Sequence, residues 1–258
     1  MIISEGQLFV FILVLARISG VFTMAPVFST RSFPGIAKTA FAIWISFVLW
    51  FVIPVNPNLI PKTLADFFVC MLAEVATGFL IGFVCNIIFI GVQAAGEIID
   101  IQMGLSVAQA FDPVFGSSVS IVGRLFFYAT LTTFFAINGH HLLLSVLHQS
   151  FSLLPLGTIP NLTSPKLVVQ LMELGKTFWT IAIQLAGPIL LIIFLSDFAF
   201  GIVSRVAPQV NVFSLGFQVK PMLGLIGILF CLPILVAHIS SLLELMGEEM
   251  LKLMVALR

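Results

Sequence analysis

Six runs of apolar residues, each close to or beyond the length that crosses a lipid bilayer, limit what this chain can fold into. A hydrocarbon core of about 30 Å is spanned by about 20 residues of helix. The runs are Leu8 to Phe28, Ile36 to Ile53, Leu64 to Val92, Ile121 to Ile137, Phe178 to Val203 and Met222 to Leu243; a seventh, His140 to Leu154, is too short to span. Charged residues are 9% of the 258 and phenylalanines number 27, whereas a soluble domain carries about 25% charged residues. Joints are marked at Pro34-Gly35, Pro54 to Pro61, Pro155 to Pro165 and Pro208 to Pro221. The predicted fold is all-α: about six long apolar helices in hairpins, with one or two short ones. Pro188 and Pro233 predict kinks in the last two runs. Gly187, Gly201, Gly224 and Gly227 predict close helix contacts there, and with them an oligomeric partner.

Formal net charge is zero and no basic cluster stands out, which removes nucleic acid as a partner. Cys70, Cys85 and Cys231 lie inside apolar runs and read as small core residues. The start, MIISEGQLF, has no Lys or Arg before its apolar run and reads as a retained first helix. Lys and Arg do not orient the chain. Lys62, Lys166, Lys176, Lys252 and Arg258 fall on one side, and Arg31, Lys38, Arg124, Arg205 and Lys220 on the other. Either partners or the first helix decide the topology, or the helices do not all span the bilayer in the finished assembly. Arg17, Glu74, Arg124 and Asp197 interrupt apolar runs, where an unpaired charge costs about 2.5–3.5 kcal/mol on insertion scales. Arg17 with Glu74, and Asp197 with Arg205, are the plausible pairs; they orient helices or, in a second reading, relay protons.

Catalysis finds little footing. The chain holds neither a GxSG nor a GxGD string, Ser117-Ser118 has no base at a defined spacing, and no GxxxxGK[ST] phosphate loop occurs. No enzyme activity and no cofactor are expected. His140, His141 and His148 lack the i, i+4 spacing and nearby carboxylate of a zinc site; Asn138-Gly139 reads as the end of one helix, with the histidines opening the next.

The stretch Gln93 to Arg124 is the odd one out, with Glu97, Asp100 and Asp112 as its acids, no base before Arg124, and Gly96, Gly104, Gly116 and Gly123 within it. It reads as a pliant loop against which something passes or presses. Phe111 and Phe115 flank Asp112-Pro113, a turn-forming pair, and suit either a removable aromatic plug or a re-entrant loop packed in its own bundle. Two segments, LARISGVFTMAPVFSTRSFPGIAK and FGIVSRVAPQVNVFSLGFQVKP, share an Arg, a Pro followed soon by a Phe, and a Lys between apolar helices, a loose hairpin grammar that chance also produces.

Four strings carry a family resemblance: LARISG with APVF (Arg17, Gly20, Pro26, Phe28), AAGEIIDIQMGLSVAQAFDP up to Pro113, NGHHLLL from Asn138, and RVAPQVNVFSLGFQVKP from Arg205 to Pro221. The chain resembles the FliR family of flagellar biosynthetic proteins and their relatives in type III secretion, over nearly its whole length. Phe217-Gln218 stands where that pattern would have a Pro soon after the glycine. The resemblance implies a non-enzymatic export-gate subunit of the bacterial inner membrane at the flagellar basal body. It implies assembly with FliP and FliQ into an entry pore for unfolded substrates, beside FlhB- and FlhA-type subunits, in a helical export-gate assembly rather than a conventional transmembrane bundle. Residues 1–170 are then FliP-like and 171–258 a FliQ-like hairpin. The family's plug loop falls on 107–122, with Phe111, Asp112, Pro113, Phe115, Gly116, Ser117 and Ser118 as its gating residues. Arg17, Glu74, Asp197, Arg205, Gln209, Asn211, Phe213 and Lys220 fall to subunit assembly. Two other readings stay open: a proton-coupled transporter using Glu74, Asp197 or Arg17, and a purely structural scaffold.

Overall fold

The structure is a computed structural model that describes residues 5–29, 34–53, 63–106 and 120–258. In chain order its helices are α1 (Glu5–Met24), α2 (Pro26–Ser29), α3 (Gly35–Val52), α4 (Leu64–Met103), α5 (Ile121–Ala136), α6 (Gly139–Leu153), α7 (Pro165–Val206) and α8 (Val212–Ala256). No strand occurs among the described residues. α1, α3, α4, α7 and α8 are each long and apolar enough to cross a membrane, and α5 with α6 together make a sixth candidate.

The helix stops follow local chemistry. α1 ends at Met24 ahead of Ala25-Pro26, and α7 ends at Val206 ahead of Ala207-Pro208; a residue preceding proline is pushed out of the helical region. The two segments with the shared hairpin grammar thus share a real stop. Asn138, with φ 60°, separates α5 from α6, as the Asn-Gly pair predicts. Hydroxyls buried in apolar helices bond back to the preceding turn: Ser46 to the Ala42 carbonyl, Thr77 to Ala73, Thr130 to Phe126.

The chain forms two compact units, one of Met1–Ile87, Asn138–Gly175 and Leu243–Arg258, the other of Ile88–Ile137 and Lys176–Leu242. In the first, α1 lies on α4 with backbone nearly touching backbone. A Cβ on Gly78 would collide with the Arg17 carbonyl, one on Gly20 with the Val75 carbonyl, and one on Gly82 would lie 2.7 Å from the Val21 oxygen. Gly78 and Gly82 stand four apart on one helix face, the small-residue pattern by which membrane helices approach closely. α3 leans on α1 through rings, Phe11 to Trp50 at 6.0 Å and Phe22 to Phe41 at 6.0 Å. The Asn161 amide donates to the Leu257 carbonyl, and Gln170 donates to Glu249, which ties the α8 end to the start of α7.

In the second unit α7 and α8 run antiparallel, with Lys220 on Asp197 and Gly227 under Ile192. Phe89 of α4 sits edge-on to Phe127 and Phe134 of α5, at 6.0 and 5.8 Å. A Cβ on Gly96 would be 2.6 Å from the Gly123 backbone, and one on Gly224 would meet the Met103 side chain at 2.6 Å.

Several expectations are corrected. α4, α7 and α8 have 40, 42 and 45 residues and outrun their apolar windows, because a helix continues through polar turns that a hydropathy window excludes. The stretch from Gln93 is helix as far as Met103 rather than loop; Gly96 serves contact with α5 instead of interrupting α4. Pro221 lies inside α8, not in a joint. The fourth window forms only the 16-residue α5. Gly224 and Gly227 do make close contacts, but among the described residues a Cβ built on Gly187 or Gly201 would meet no atom of another element within 4 Å.

Gly78→Leu should lower the unfolding free energy of the detergent-solubilised chain by about 1–3 kcal/mol through overpacking. Gly175→Ala, whose added Cβ meets nothing within 4 Å among the described residues, should be neutral or stabilising by up to about 1 kcal/mol. Thermal unfolding of the two variants side by side checks the contrast.

Candidate functional site

An arginine in an apolar helix must find acceptors for every N–H or pay for its desolvation. Arg17, 1% exposed on α1, finds them on three sides. Its Nε donates to Glu74 Oε2 of α4 at 2.5 Å, Nη1 to Ser150 Oγ of α6 at 3.1 Å, and Nη2 to the Leu154 carbonyl at 2.9 Å. The guanidinium carbon also stands 4.3 Å from the Phe151 ring centre, within cation–π range. Glu74, also 1% exposed, uses its other oxygen to accept the Gly157 amide at 3.2 Å. Gly157 can present that amide because it turns the chain at φ 83°. The predicted Arg17–Glu74 pair is therefore present, with each of the three guanidinium nitrogens and both carboxylate oxygens hydrogen-bonded. Ser150, Leu154 and Gly157 were not among the predicted residues; a serine on the short sixth helix gives no advance sign that it faces an arginine 133 positions away.

A second buried acid lies in the other unit. Asp100 of α4, 1% exposed, accepts from the Ser120 hydroxyl and from the Val122 amide at 3.2 Å. Ser120 in turn accepts from the Gly123 amide at 2.7 Å and caps α5. A carboxylate facing the first turn of a helix is favoured by the exposed amides and the helix dipole without any cation. A serine directly before an apolar run is a cap signal that could have been read in advance. The predicted gating residues Phe111, Asp112, Pro113, Phe115, Gly116, Ser117 and Ser118 lie outside the described residues. Of the 107–122 loop, residues 120–122 are the cap and first turn of α5.

The α7–α8 end holds the remaining predicted residues. Asp197 pairs with Lys220 at 2.5 Å, not with Arg205; Arg205 is eight residues further along the same helix, about 12 Å in rise. The pair, 38% and 25% exposed, borders a cavity of about 530 Å³ lined also by Met103, Phe200, Phe213 and Phe217. Asn211 accepts from the Ser214 amide at 3.1 Å, so it caps α8 of its own chain. Gln209 and Arg205 are exposed, and Phe213, 77% exposed, stands edge-on to Phe217 at 4.8 Å. The structure thus brings Arg17 to Glu74 and Asp197 to Lys220, and leaves Arg205, Gln209 and Phe213 facing outward.

Long apolar helices, buried charges saturated within each unit, and exposed apolar faces on α3, α7 and α8 define an all-helical membrane protein. Residues 8–246 match the family described as bacterial export proteins, family 1, and the chain belongs to that family. It is 29% identical over 245 residues to the flagellar biosynthetic protein FliR of Bacillus subtilis, covering 95% of this chain and 94% of the relative. FliR of Escherichia coli is 31% identical over 213 residues, 82% and 79% covered. The Yop proteins translocation protein T of Yersinia pestis is 31% identical over 241 residues, 92% and 91% covered.

Glu74→Gln leaves Arg17 buried without its carboxylate and should destabilise the chain by about 3–5 kcal/mol. Lys220→Ala, which opens a partly exposed pair, should cost about 1 kcal/mol or less. Denaturation of the purified variants in detergent measures both.

Proposed function

We propose that this chain is a non-enzymatic subunit of a type III protein export apparatus in the bacterial inner membrane, at the base of the flagellum. It works there with FliP and FliQ as the entry pore for unfolded substrates, alongside FlhB- and FlhA-type subunits. The observation that carries this reading is the near end-to-end likeness to FliR and to a Yop translocation protein, at 95% and 92% of this chain. Helix length supports it. The 42 residues of α7 and 45 of α8 amount to about 63 and 68 Å of helix at 1.5 Å per residue, twice the bilayer's hydrocarbon core of about 30 Å. Apolar side chains stay exposed far along both, from Met172 and Trp179 to Val206 on α7 and from Phe213 to Leu245 on α8. Lipid alone cannot cover such lengths, and neighbouring protein helices can. The tie in Lys and Arg between the two sides accords with helices that do not all lie in the bilayer. In this reading residues 1–170 take the FliP-like part and 171–258 the FliQ-like hairpin, with Arg205, Gln209 and Phe213 turned to neighbouring subunits. The segment 107–122, with Phe111 and Phe115 as the plugging rings, seals the path to small ions at rest and yields when a polypeptide enters. Energy comes from a partner, since the chain carries no phosphate loop.

A proton-coupled transporter would need ionisable groups that a proton can reach. Glu74 has both oxygens bonded in a 1% exposed site, which speaks for a structural role. Deleting Ala110 to Ser118 should leave the complex assembled and make cells leak small ions. An assembled deletion variant with unchanged conductance would contradict the seal. Asp197→Asn should leave transport intact wherever the complex assembles; loss of transport in an intact complex would favour the relay.

A further inference from the structure

α5 has two faces. Val122, Phe126, Thr130 and Phe134 are buried, while Ile121, Arg124, Leu125, Tyr128, Thr132 and Phe135 form an outward stripe at helical spacing. The stripe is not purely apolar. Arg124 is exposed, and its side chain makes no hydrogen bond or ion pair among the described residues. The described acids of its unit are engaged elsewhere: Glu97 accepts from Gln93 at 2.9 Å, Asp100 from Ser120 and the Val122 amide, and Asp197 holds Lys220. Arg124 also stands in the first turn of α5, at the positive end of the helix dipole, where a cation is disfavoured. A guanidinium in an apolar run with no partner in its own unit needs an acceptor from outside it. Tyr128, 60% exposed and the single tyrosine of the chain, lies one turn further along, about 6 Å in rise. Its hydroxyl has no partner among the described residues, whereas Thr132 bonds back to the Tyr128 carbonyl at 2.9 Å. A lipid headgroup reaches a cation at a helix end, but hydrocarbon offers nothing to a hydroxyl in the middle of the 16-residue α5. Another helix can serve both.

We propose that the outward face of α5 is an assembly surface whose partner is a helix of a neighbouring subunit carrying a carboxylate opposite Arg124 and a hydrogen-bonding group opposite Tyr128. The inference rests on the multi-chain reading above and deepens it, adding a surface to the α7 and α8 residues already given to assembly. Ile121, Leu125 and Phe135 supply the apolar contact, which by itself accepts many registers. The arginine accepts one: a carboxylate set against it forms a charge-assisted, two-pronged hydrogen bond, and a shifted neighbour leaves the charge facing an apolar surface. Arg124 therefore selects the partner and its register, as charges across an interface do.

The test uses the full chain purified with its co-expressed neighbours. Arg124→Lys keeps the charge and brings an amine to the same place, so a zero-length carbodiimide should join that amine to a carboxylate of another chain, which mass spectrometry of the linked peptides identifies. Arg124→Glu should lower recovery of the complex by about tenfold or more, because like charges then face each other, and Arg124→Gln should lower it by less. Replacing the identified acid by a lysine should restore recovery in the Arg124→Glu background. A link only to an acid of this chain overturns the proposal, and so does the lack of any link in a complex that assembles, the result for a face turned to lipid or water; in both cases the export-gate reading stands. If no neighbour co-purifies with the wild-type chain, that reading falls and this one with it. Should Arg124→Glu fail to accumulate, the linking experiment in Arg124→Lys decides alone.

Discussion

A guanidinium with almost no exposed surface, set in a chain with few charges to spare, is the constraint on which the first unit depends. Arg17 can remain charged there only if each of its donor nitrogens meets an acceptor. The acceptors come from α4, from α6 and from the connection after α6. Satisfying one side chain therefore fixes three elements relative to α1. Glu74 extends the arrangement to Gly157, and the glycines at 20, 78 and 82 let the α1 and α4 backbones come close enough for the pair to form. Apolar contact alone would hold these helices together without choosing one rotation or register; the buried pair makes that choice.

The second unit solves a related problem with different groups. Asp100 sits in apolar surroundings with the open amides of a helix start as its counter-charge. Where the first unit uses a side-chain cation, this one uses a helix end, and both solutions leave no buried charge unmatched. The α7–α8 pair contrasts with them. Its ion pair, Asp197 with Lys220, is partly open beside a cavity, and its apolar faces are only partly covered. The apolar side chains exposed along α7 and α8 are what the proposed assembly would cover.

Much of this was legible beforehand. Apolar windows located every long helix, Asn-Gly located the stop between α5 and α6, and Arg17 with Glu74 was one of two plausible pairs among the charges in apolar runs, whereas the first window ran through the Ala25-Pro26 stop to Phe28. Helix ends were not legible, because hydrogen bonding along α4, α7 and α8 carries on through polar turns that composition separates from the membrane runs. The stretch after Gln93 misled for a physical reason: Gly96 looks like a breaker, yet its purpose is contact with Gly123, and no local pattern distinguishes the two uses of a glycine. Asp197 was assigned to the base nearest in sequence, Arg205, while the hairpin brings Lys220 across to it. Partners that depend on tertiary approach, such as Ser150 for Arg17 and Ser120 for Asp100, carry only a weak local signal.

The proposal at the centre of this account is that residues 107–119 lie on the axis of a conduit built from several chains, with α7 and α8 covered by neighbouring helices. A density map of the chain purified with its co-expressed neighbours measures this most directly. The account predicts that residues 107–119 lie at the shared axis and that the apolar faces of α7 and α8 are buried against other subunits. A map with that segment facing lipid or cytosol, away from any common axis, would contradict it.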